Sequence, residues 1–166
     1  MGPDELAPPH LRAFLEEHGI DASFVAPGLP MPSVSLAAQA IGVPEDHILK
    51  TLVFVGDPGE FVVAIANGTH RIDRKLLAKS ALMRKPRPAS PSDVIALTGY
   101  PAGGVAPVGL PASIPVIVDA ATAELDIAYG GGGDEHLLLR IRVPDVIRFN
   151  NALVADITER SKQDAR

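Results

Sequence analysis

The chain has 166 residues, of which 46% are hydrophobic, and it carries 15 lysine and arginine residues against 20 aspartate and glutamate residues. This length and apolar content suffice for one domain with a buried core, while the net charge of −5 argues against a wide nucleic-acid-binding surface. Cysteine is absent, which excludes disulfides, thiolate metal sites and a cysteine nucleophile.

We expect residues 1–166 to form a single domain, with residues 160–166 as a frayed polar tail. The N-terminus lacks the basic and apolar regions of a secretory signal. No later segment offers the roughly 18 uninterrupted apolar residues of a membrane-spanning helix. Together with the absence of cysteine, these features predict a cytoplasmic protein that makes no contact with membranes.

The first half of the chain predicts, in order, a helix, a short strand, a second helix and a β-hairpin. Their ranges are 4–18, 22–26, 33–42, and 48–55 with 60–66. The first helix has apolar residues at helical spacing and stops before Gly19. Three prolines keep residues 27–32 in a loop, and Ser33 is suited to cap the second helix. The hairpin strands are rich in β-branched residues and flank a turn at 57–59.

The second half predicts two helices, three strands and a final helix. Their ranges are 71–82, 92–97, 114–119, 124–129, 137–143 and 144–152. Ser90 or Ser92 can cap the second of these helices, and Pro144 suits the first position of the last one. Because strands occur both as a hairpin and separated by helices, the sequence predicts an α+β fold with a mixed sheet.

Residues 99–109 form a run of glycine and proline, GYPAGGVAPVG, between two apolar segments. Such a run excludes a helix or a central strand and leaves two interpretations: a strained connection, or a loop whose main-chain N–H groups converge on a ligand oxygen. The spacing matches neither a phosphate loop nor a dinucleotide-binding turn, so a nucleotide cofactor is disfavoured. A second glycine cluster at 130–133 is interpreted as a long flexible hairpin loop.

Lys50 is the single charged residue between His47 and Asp57, inside the first predicted hairpin strand. The alternation of a strand puts it on the same face as the apolar residues Leu52 and Phe54. Two interpretations stay open for a lysine in that position. Its side chain extends to solvent, or it is a half-buried ammonium that meets an anionic or carbonyl-bearing ligand.

The histidines and serines indicate no standard catalytic centre. The five histidines lack the spacing of metal ligands, so no metal site is predicted. No nucleophile elbow is present, and nothing in the order of serine, histidine and aspartate marks a triad. Any chemistry performed by this chain therefore depends on other groups, with Lys50 and the glycine loop as the candidates.

Several cations between residues 71 and 87 form a basic stretch in an otherwise acidic chain. Its members with a candidate role are Arg71, Arg74, Lys75, Arg84 and Lys85. The stretch fits either a solvated helix face followed by a basic loop, or a local surface for a phosphate backbone. The charge pattern alone does not separate these two interpretations.

Four segments, taken in this order, closely resemble the YbaK/ProX family, the free-standing relatives of the prolyl-tRNA synthetase editing domain. They are Gly42-Val43-Pro44, Lys50-Thr51-Leu52-Val53-Phe54, Leu97-Thr98-Gly99-Tyr100 and Gly103-Gly104-Val105-Ala106-Pro107-Val108-Gly109. The resemblance covers about residues 5–152, which is the expected core. It implies a mixed sheet, partly closed like a barrel and flanked by helices. It also implies hydrolysis, in trans, of the ester of a mischarged aminoacyl-tRNA.

The resemblance further implies which residues carry this activity. Lys50, Gly103 and Gly104 become the catalytic set, with main-chain N–H groups around 103–105 holding the carbonyl oxygen. Substrate contacts are implied for Thr51, Val105, Ala106, Pro107, Gly109, Ser33, His136 and Asp119. The basic stretch, Arg71, Arg74, Lys75, Arg84 and Lys85, is expected beside the acceptor end of the tRNA.

The expected substrate is a small amino acid such as cysteine, serine, threonine or alanine on tRNA, with tRNA-Pro as the expected carrier. No cofactor is implied. The resemblance leaves room for a synthetase partner, prolyl-tRNA synthetase or another, and leaves the oligomeric state open. The alternative is a non-catalytic module that uses the same pocket for an amino-acid-like ligand or a synthetase.

Overall fold

Helices and strands alternate along the chain in a computed structural model that describes residues 2–159. The helices are α1 (Pro3–Leu6), α2 (Pro9–Glu17), α3 (Val34–Ile41), α4 (Arg74–Ala81), α5 (Pro91–Thr98) and α6 (Val143–Phe149). The strands are β1 (Ala22–Val25), β2 (Leu49–Val55), β3 (Phe61–Asn67), β4 (Arg87–Pro88), β5 (Val116–Asp119), β6 (Ile127–Gly131), β7 (Leu138–Arg142) and β8 (Leu153–Ala155). Short 3-10 turns span Glu45–His47 and Thr122–Glu124.

The strands form two sheets that meet at one edge. One sheet has the order β1-β7-β6 and is antiparallel, and the other has the order β4-β2-β3-β5-β8. In the larger sheet β3, β5 and β8 are parallel, while β2 and β4 run antiparallel to their neighbours. This arrangement confirms the predicted α+β fold with a mixed sheet. A bridge between Ile48 and Tyr129 joins the sheets at the start of β2, and the barrel is not closed beyond it.

The two faces of β2 pack into different cores. Leu49 and Val53 belong to the larger core between the sheets, while Phe54 packs with Leu77 of α4 in a smaller core on the opposite face. This alternation follows the period of two that a strand imposes on its side chains. It also places Lys50 on the α4 side of the sheet, because that residue shares its face with Phe54.

The local signals around α3 and the hairpin are confirmed. Ser33 Oγ accepts a hydrogen bond from Leu36 N–H at 3.1 Å, and Gly42 ends α3 with φ +70°. These are the N-cap and C-cap roles that the sequence predicts. β2 and β3 pair as the predicted antiparallel hairpin.

Other boundaries differ from the predictions. The single helix predicted over 4–18 is wrong: it is two helices, α1 and α2, separated at Ala7 and Pro8. Both residues have extended ψ angles, of 145° and 135°, because a residue that precedes proline is kept out of the helical region. The helix predicted over 71–82 begins only at Arg74, where Asp73 caps it by accepting from Lys75 N–H and Leu76 N–H.

The short strands β4 and β8 were not predicted. Each has two or three residues, and their side chains are largely exposed, so neither has the apolar alternation that marks a strand in a sequence. The predicted tail at 160–166 lies outside the described residues. Within residues 2–159 no helix combines the length and apolarity needed to cross a bilayer.

Candidate functional site

A cavity of about 260 Å³ opens where the two sheets do not close. One wall is β2, which contributes Lys50 and Thr51, and the facing wall is the glycine loop, which contributes Gly103 and Val105. Residues 31–34 line it as well. We call this space the seam cavity. It brings together five of the residues singled out from the sequence, from segments as much as seventy positions apart: Ser33, Lys50, Thr51, Gly103 and Val105.

A second space adjoins the seam cavity on the side of the glycine loop. It has a volume of about 290 Å³ and shares Met31, Pro32 and Gly103 with the seam cavity. Its remaining lining includes Glu135 and His136. His136 therefore lies beside the seam cavity, with an exposed ring whose Nδ1 is 3.5 Å from Asp134 Oδ1.

Lys50 is half-buried, and its ammonium makes no hydrogen bond or ion pair with any residue between 2 and 159. Burial lowers the pKa of Lys50 below the ordinary lysine value of 10.5, and the charge of Arg71 lowers this pKa further. Desolvation and like charge both disfavour the ammonium in the free protein. An anion or a polarised carbonyl in the seam cavity would stabilise the charged ammonium and so offset both the desolvation and the repulsion from Arg71.

Thr51 brings polar groups to the same wall. Its side chain is 8% exposed, and Oγ1 has no hydrogen-bond partner within residues 2–159. The Val53 carbonyl accepts from Ala89 N–H on the β4 side of β2. Alternation along an antiparallel strand puts the Thr51 N–H and C=O on that same side, and the two-residue β4 pairs only with positions 54 and 55. The main chain of Thr51 therefore faces the open seam.

The three main-chain donors predicted around 103–105 are not equivalent. Gly104 N–H donates to the Pro101 carbonyl at 2.9 Å, so this donor is occupied within a turn. Gly103 N–H and Val105 N–H donate to no acceptor in the part of the chain that the structure describes. The donors available to a ligand are thus Gly103 and Val105, whereas Gly104 shapes the loop.

The second glycine cluster does lie in a hairpin, between the antiparallel strands β6 and β7, but it packs closely against the glycine loop instead of extending freely. Its first two residues belong to β6, and Gly133 N–H donates to the Gly104 carbonyl at 2.9 Å. A Cβ on Gly104 would lie 2.7 Å from the Asp134 carbonyl carbon, and one on Gly131 would overlap the Val105 carbonyl oxygen. The main chains approach so closely that only glycine fits on both sides.

The far side of the glycine loop is anchored by side chains. Tyr100 OH is 3.1 Å from both the Val108 and Gly109 carbonyl oxygens, and Asn150 Nδ2 donates to the Pro107 carbonyl at 2.6 Å. Ala106 and Pro107 are buried, and Gly109 has φ +70°. These three predicted substrate contacts do not line the seam cavity. Their positions fix the loop instead, and Asn150 is an anchor that no sequence motif marks.

We expect Tyr100→Phe to lower the free energy of unfolding by about 2 kcal/mol, because the buried Val108 carbonyl and the partly buried Gly109 carbonyl lose the hydroxyl that they share. The ester hydrolysis that the resemblance implies should slow as well, since the loop that presents Gly103 and Val105 loosens. Urea denaturation and a deacylation assay measure the two effects. Tyr129→Phe is the matched control, because the Tyr129 hydroxyl has no hydrogen bond within residues 2–159. Equal stability of the two variants would contradict the anchoring role.

Some predicted residues lie away from the seam cavity. Asp119 is buried at the end of β5, where it lines a different space. Arg84 and Lys85 follow α4 near Gly56, at the opposite end of β2 from Lys50, about 17 Å away along the strand. Arg71 follows β3 near Lys50. The basic stretch is therefore divided between the two ends of the hairpin.

Ser33, by contrast, is at the seam cavity: it lines this space and also caps α3.

Within residues 2–159, no three histidine, aspartate or glutamate side chains are grouped so that they could hold a metal ion. The polar groups that line the seam cavity are the Lys50 ammonium, the hydroxyls of Ser33 and Thr51, and main-chain N–H donors. Such groups bind a carbonyl oxygen or a phosphate rather than a cation.

Comparison with known proteins identifies relatives over most of the chain. The family model described as the aminoacyl-tRNA editing domain matches residues 30–149. A protein of Enterococcus faecalis named "Putative Cys-tRNA(Pro)/Cys-tRNA(Cys) deacylase EbsC" is 28% identical over 126 residues, which are 76% of this chain and 77% of that protein. A proline--tRNA ligase of Pelobacter propionicus is 28% identical over 107 residues, which are 64% of this chain and 19% of the ligase.

A solved structure described as "a putative trans-editing enzyme for prolyl tRNA synthetase" has the same fold. It matches with a TM-score of 0.80 and 30% identity, and the match covers 91% of this chain and 96% of that one. Fold, cavity and matches together define the class as an aminoacyl-tRNA deacylase. The chain belongs to the aminoacyl-tRNA editing domain family, which confirms the resemblance drawn from its motifs.

Proposed function

We propose that this chain hydrolyses, in trans, the ester of a tRNA that carries the wrong amino acid. The expected amino acids are small, namely cysteine, serine, threonine or alanine, and the expected carrier is tRNA-Pro. The observation that carries the proposal is the convergence of Lys50, Gly103 and Val105 on the seam cavity. The names of the relatives, one for Cys-tRNA(Pro) and one for prolyl-tRNA synthetase, support the choice of tRNA.

In this mechanism the ester carbonyl oxygen accepts hydrogen bonds from Gly103 N–H and Val105 N–H. Each donor aimed at a developing oxyanion is worth about 3 kcal/mol in the transition state. The Lys50 ammonium binds the phosphate of the terminal nucleotide or assists the same oxygen. Both roles use a charge that has no partner within the described chain.

The attacking water is activated by the substrate itself. No carboxylate lines the seam cavity, and the His136 ring lies in the adjoining space. The vicinal hydroxyl of the terminal ribose is close to the ester by its own covalent geometry and takes the place of a protein base. A tRNA that ends in a deoxyribose without this hydroxyl should therefore be deacylated much more slowly.

The size of the seam cavity limits the side chain of the amino acid. Its apolar lining includes Val34, Ala37 and Leu138. One methylene changes the free energy of such a fit by only about 1 to 3 kcal/mol, so neighbouring small amino acids are separated by modest factors. We therefore expect graded rates across small amino acids rather than a single substrate.

The activity should decline at alkaline pH, and earlier than an ordinary lysine would allow. The mechanism uses the protonated ammonium, and burial together with Arg71 lowers the pKa of Lys50. Activity is therefore lost as pH rises through that lowered pKa. Arg71→Gln removes the neighbouring charge, so it should raise the pKa of Lys50 and move the decline to higher pH.

A kcat/KM profile corrected for spontaneous ester hydrolysis measures this shift. Lys50→Arg is the control, because arginine keeps its charge throughout the accessible pH range. A decline that persists unchanged in Lys50→Arg would show that another group titrates.

The function is tested by release of amino acid from tRNAs charged with cysteine, alanine, serine, threonine and proline. We expect release of at least one small non-proline amino acid and its dependence on Lys50. No release from any of these tRNAs would remove support for a deacylase of small amino acids and favour a binding module.

A further inference from the structure

A separate cavity of about 370 Å³ lies at the carboxyl ends of the parallel strands. Four residues at or just beyond these strand ends line the space. They are His70 after β3, Asp119 at the end of β5, and Thr158 and Glu159 after β8. We call it the carboxyl-end cavity. The carboxyl ends of parallel strands are where open sheets characteristically bind ligands, because the connections diverge there and leave a crevice.

Asp119 holds an unsatisfied, buried oxygen at the wall of this cavity. Its side chain is 1% exposed, and Oδ1 accepts a hydrogen bond from Ile157 N–H at 3.0 Å. Oδ2 is buried and has no hydrogen-bond partner within residues 2–159. Buried carboxylates are almost always paired, because an unpaired one loses its hydration without compensation. The Oδ2 atom is therefore an acceptor that a ligand can satisfy.

Lys50 is on the same face of the sheet but does not reach Asp119. Strand register pairs Lys50 with Ala66, and the pairing of Ile65 with Val118 puts Ala66 beside Asp119. The two charged residues are thus separated by two strand spacings, about 10 Å, with a small side chain between them. No ion pair joins them. The partner of Asp119 has to come from outside this row.

The lining of the cavity selects a cation. Among the lining residues within 2–159, Asp119 and Glu159 supply carboxylates, and His70 is the single basic residue. No three acidic or histidine side chains within residues 2–159 are grouped to hold a metal ion, which favours an organic cation over a metal ion. With Oδ1 engaged by Ile157, Asp119 offers one oxygen. One acceptor suits the point charge of an ammonium better than the two-pronged fork of a guanidinium.

We propose that the carboxyl-end cavity binds a primary alkylammonium group, which donates to Asp119 Oδ2 while Glu159 adds negative charge at the cavity mouth. The alkyl chain lies along the apolar lining from Leu76 and Ala121. A free diamine and a lysine side chain of another protein share this chemistry. The site is independent of the seam cavity, so its test does not involve tRNA.

The first experiment is a titration of the full chain with n-butylammonium, followed by amide NMR shifts. We expect saturable shifts at residues around 119 and 157, and none with 1-butanol, which has the same chain without the charge. Asp119→Asn keeps an oxygen for Ile157 N–H but removes the charge, and it should weaken binding at least tenfold. Asp93→Asn, at an exposed carboxylate on α5, is the matched control and should bind as the unaltered chain does.

The source of the ammonium is distinguished by comparing 1,5-diaminopentane with a lysine blocked at both main-chain ends. If Asp119→Asn fails to fold, Glu159→Gln supplies the test, with an expected threefold weakening that disappears at high salt. Absence of saturable binding to the unaltered chain, or equal binding by the folded Asp119→Asn chain, would overturn the proposal.

Discussion

Lys50→Ala is expected to lower kcat/KM for deacylation by at least 100-fold. The change removes the cation of the seam cavity, and one charged or N–H donor to the transition state is worth about 3 kcal/mol. The free energy of unfolding should change little, because the Lys50 ammonium is half-buried, desolvated and unpaired within the described chain. Rates of amino-acid release and a urea denaturation curve measure these two quantities on one preparation.

Lys79→Ala provides the matched control for this loss of charge. Lys79 is exposed on α4 and lines none of the cavities described above, so its removal should leave the rate unchanged. A Lys50→Ala chain with the unaltered rate would contradict the catalytic role. A Lys50→Met chain that still binds a non-hydrolysable aminoacyl-nucleoside would favour the non-catalytic binding module, because that module does not need the charge.

Gly131→Ala should be the most damaging single methyl group that can be added to this chain near the site. The new Cβ would overlap the Val105 carbonyl oxygen and lie 2.9 Å from the Val105 carbonyl carbon. Main-chain atoms cannot move aside as a flexible side chain can, so the end of β6 and the glycine loop must separate. We expect a loss of about 3 kcal/mol in the free energy of unfolding, together with loss of deacylation.

Alanine substitutions at two other glycines, Gly2 and Gly103, serve as controls for the loss of stability expected in Gly131→Ala. A Cβ on Gly2 meets nothing within 4 Å, so Gly2→Ala should unfold as the unaltered chain does. A Cβ on Gly103 meets only the Glu135 side chain, whose Cγ is 3.4 Å away in an ordinary contact, but Gly103 lines both the seam cavity and the adjoining space. Gly103→Ala should therefore reduce activity without a comparable loss of stability. If Gly131→Ala unfolds at the same urea concentration as Gly2→Ala, the close packing of the two loops is refuted.

The elements that could be predicted from the sequence are those fixed by local signals. The cap of Ser33, the stop at Gly42 and the β-branched hairpin each depend on neighbours within a few residues. The break between α1 and α2 was also readable, since Pro8 and Pro9 stand side by side, but the apolar spacing of the segment outweighed them in the prediction.

The remaining features depend on contacts between distant segments. Nothing near Gly131 in the sequence shows that it meets Val105, and nothing near Asn150 shows that its amide holds the Pro107 carbonyl. The same limit applies to the divided basic stretch. Whether Arg71 lies with Arg84 depends on the path of α4 relative to the hairpin, which residue type and spacing do not specify.

The short unpaired stretch of the β2 edge around Thr51 creates a risk of association between molecules. A strand with free N–H and C=O groups attracts another strand, and this is a common origin of edge-to-edge aggregation. The segment across the seam carries Pro30 and Pro32, which have no N–H to donate and so cannot continue a ladder. Met31 and Pro32 line the same cavity as Thr51 without pairing to β2. The protein thus keeps an accessible groove while blocking the addition of a foreign strand.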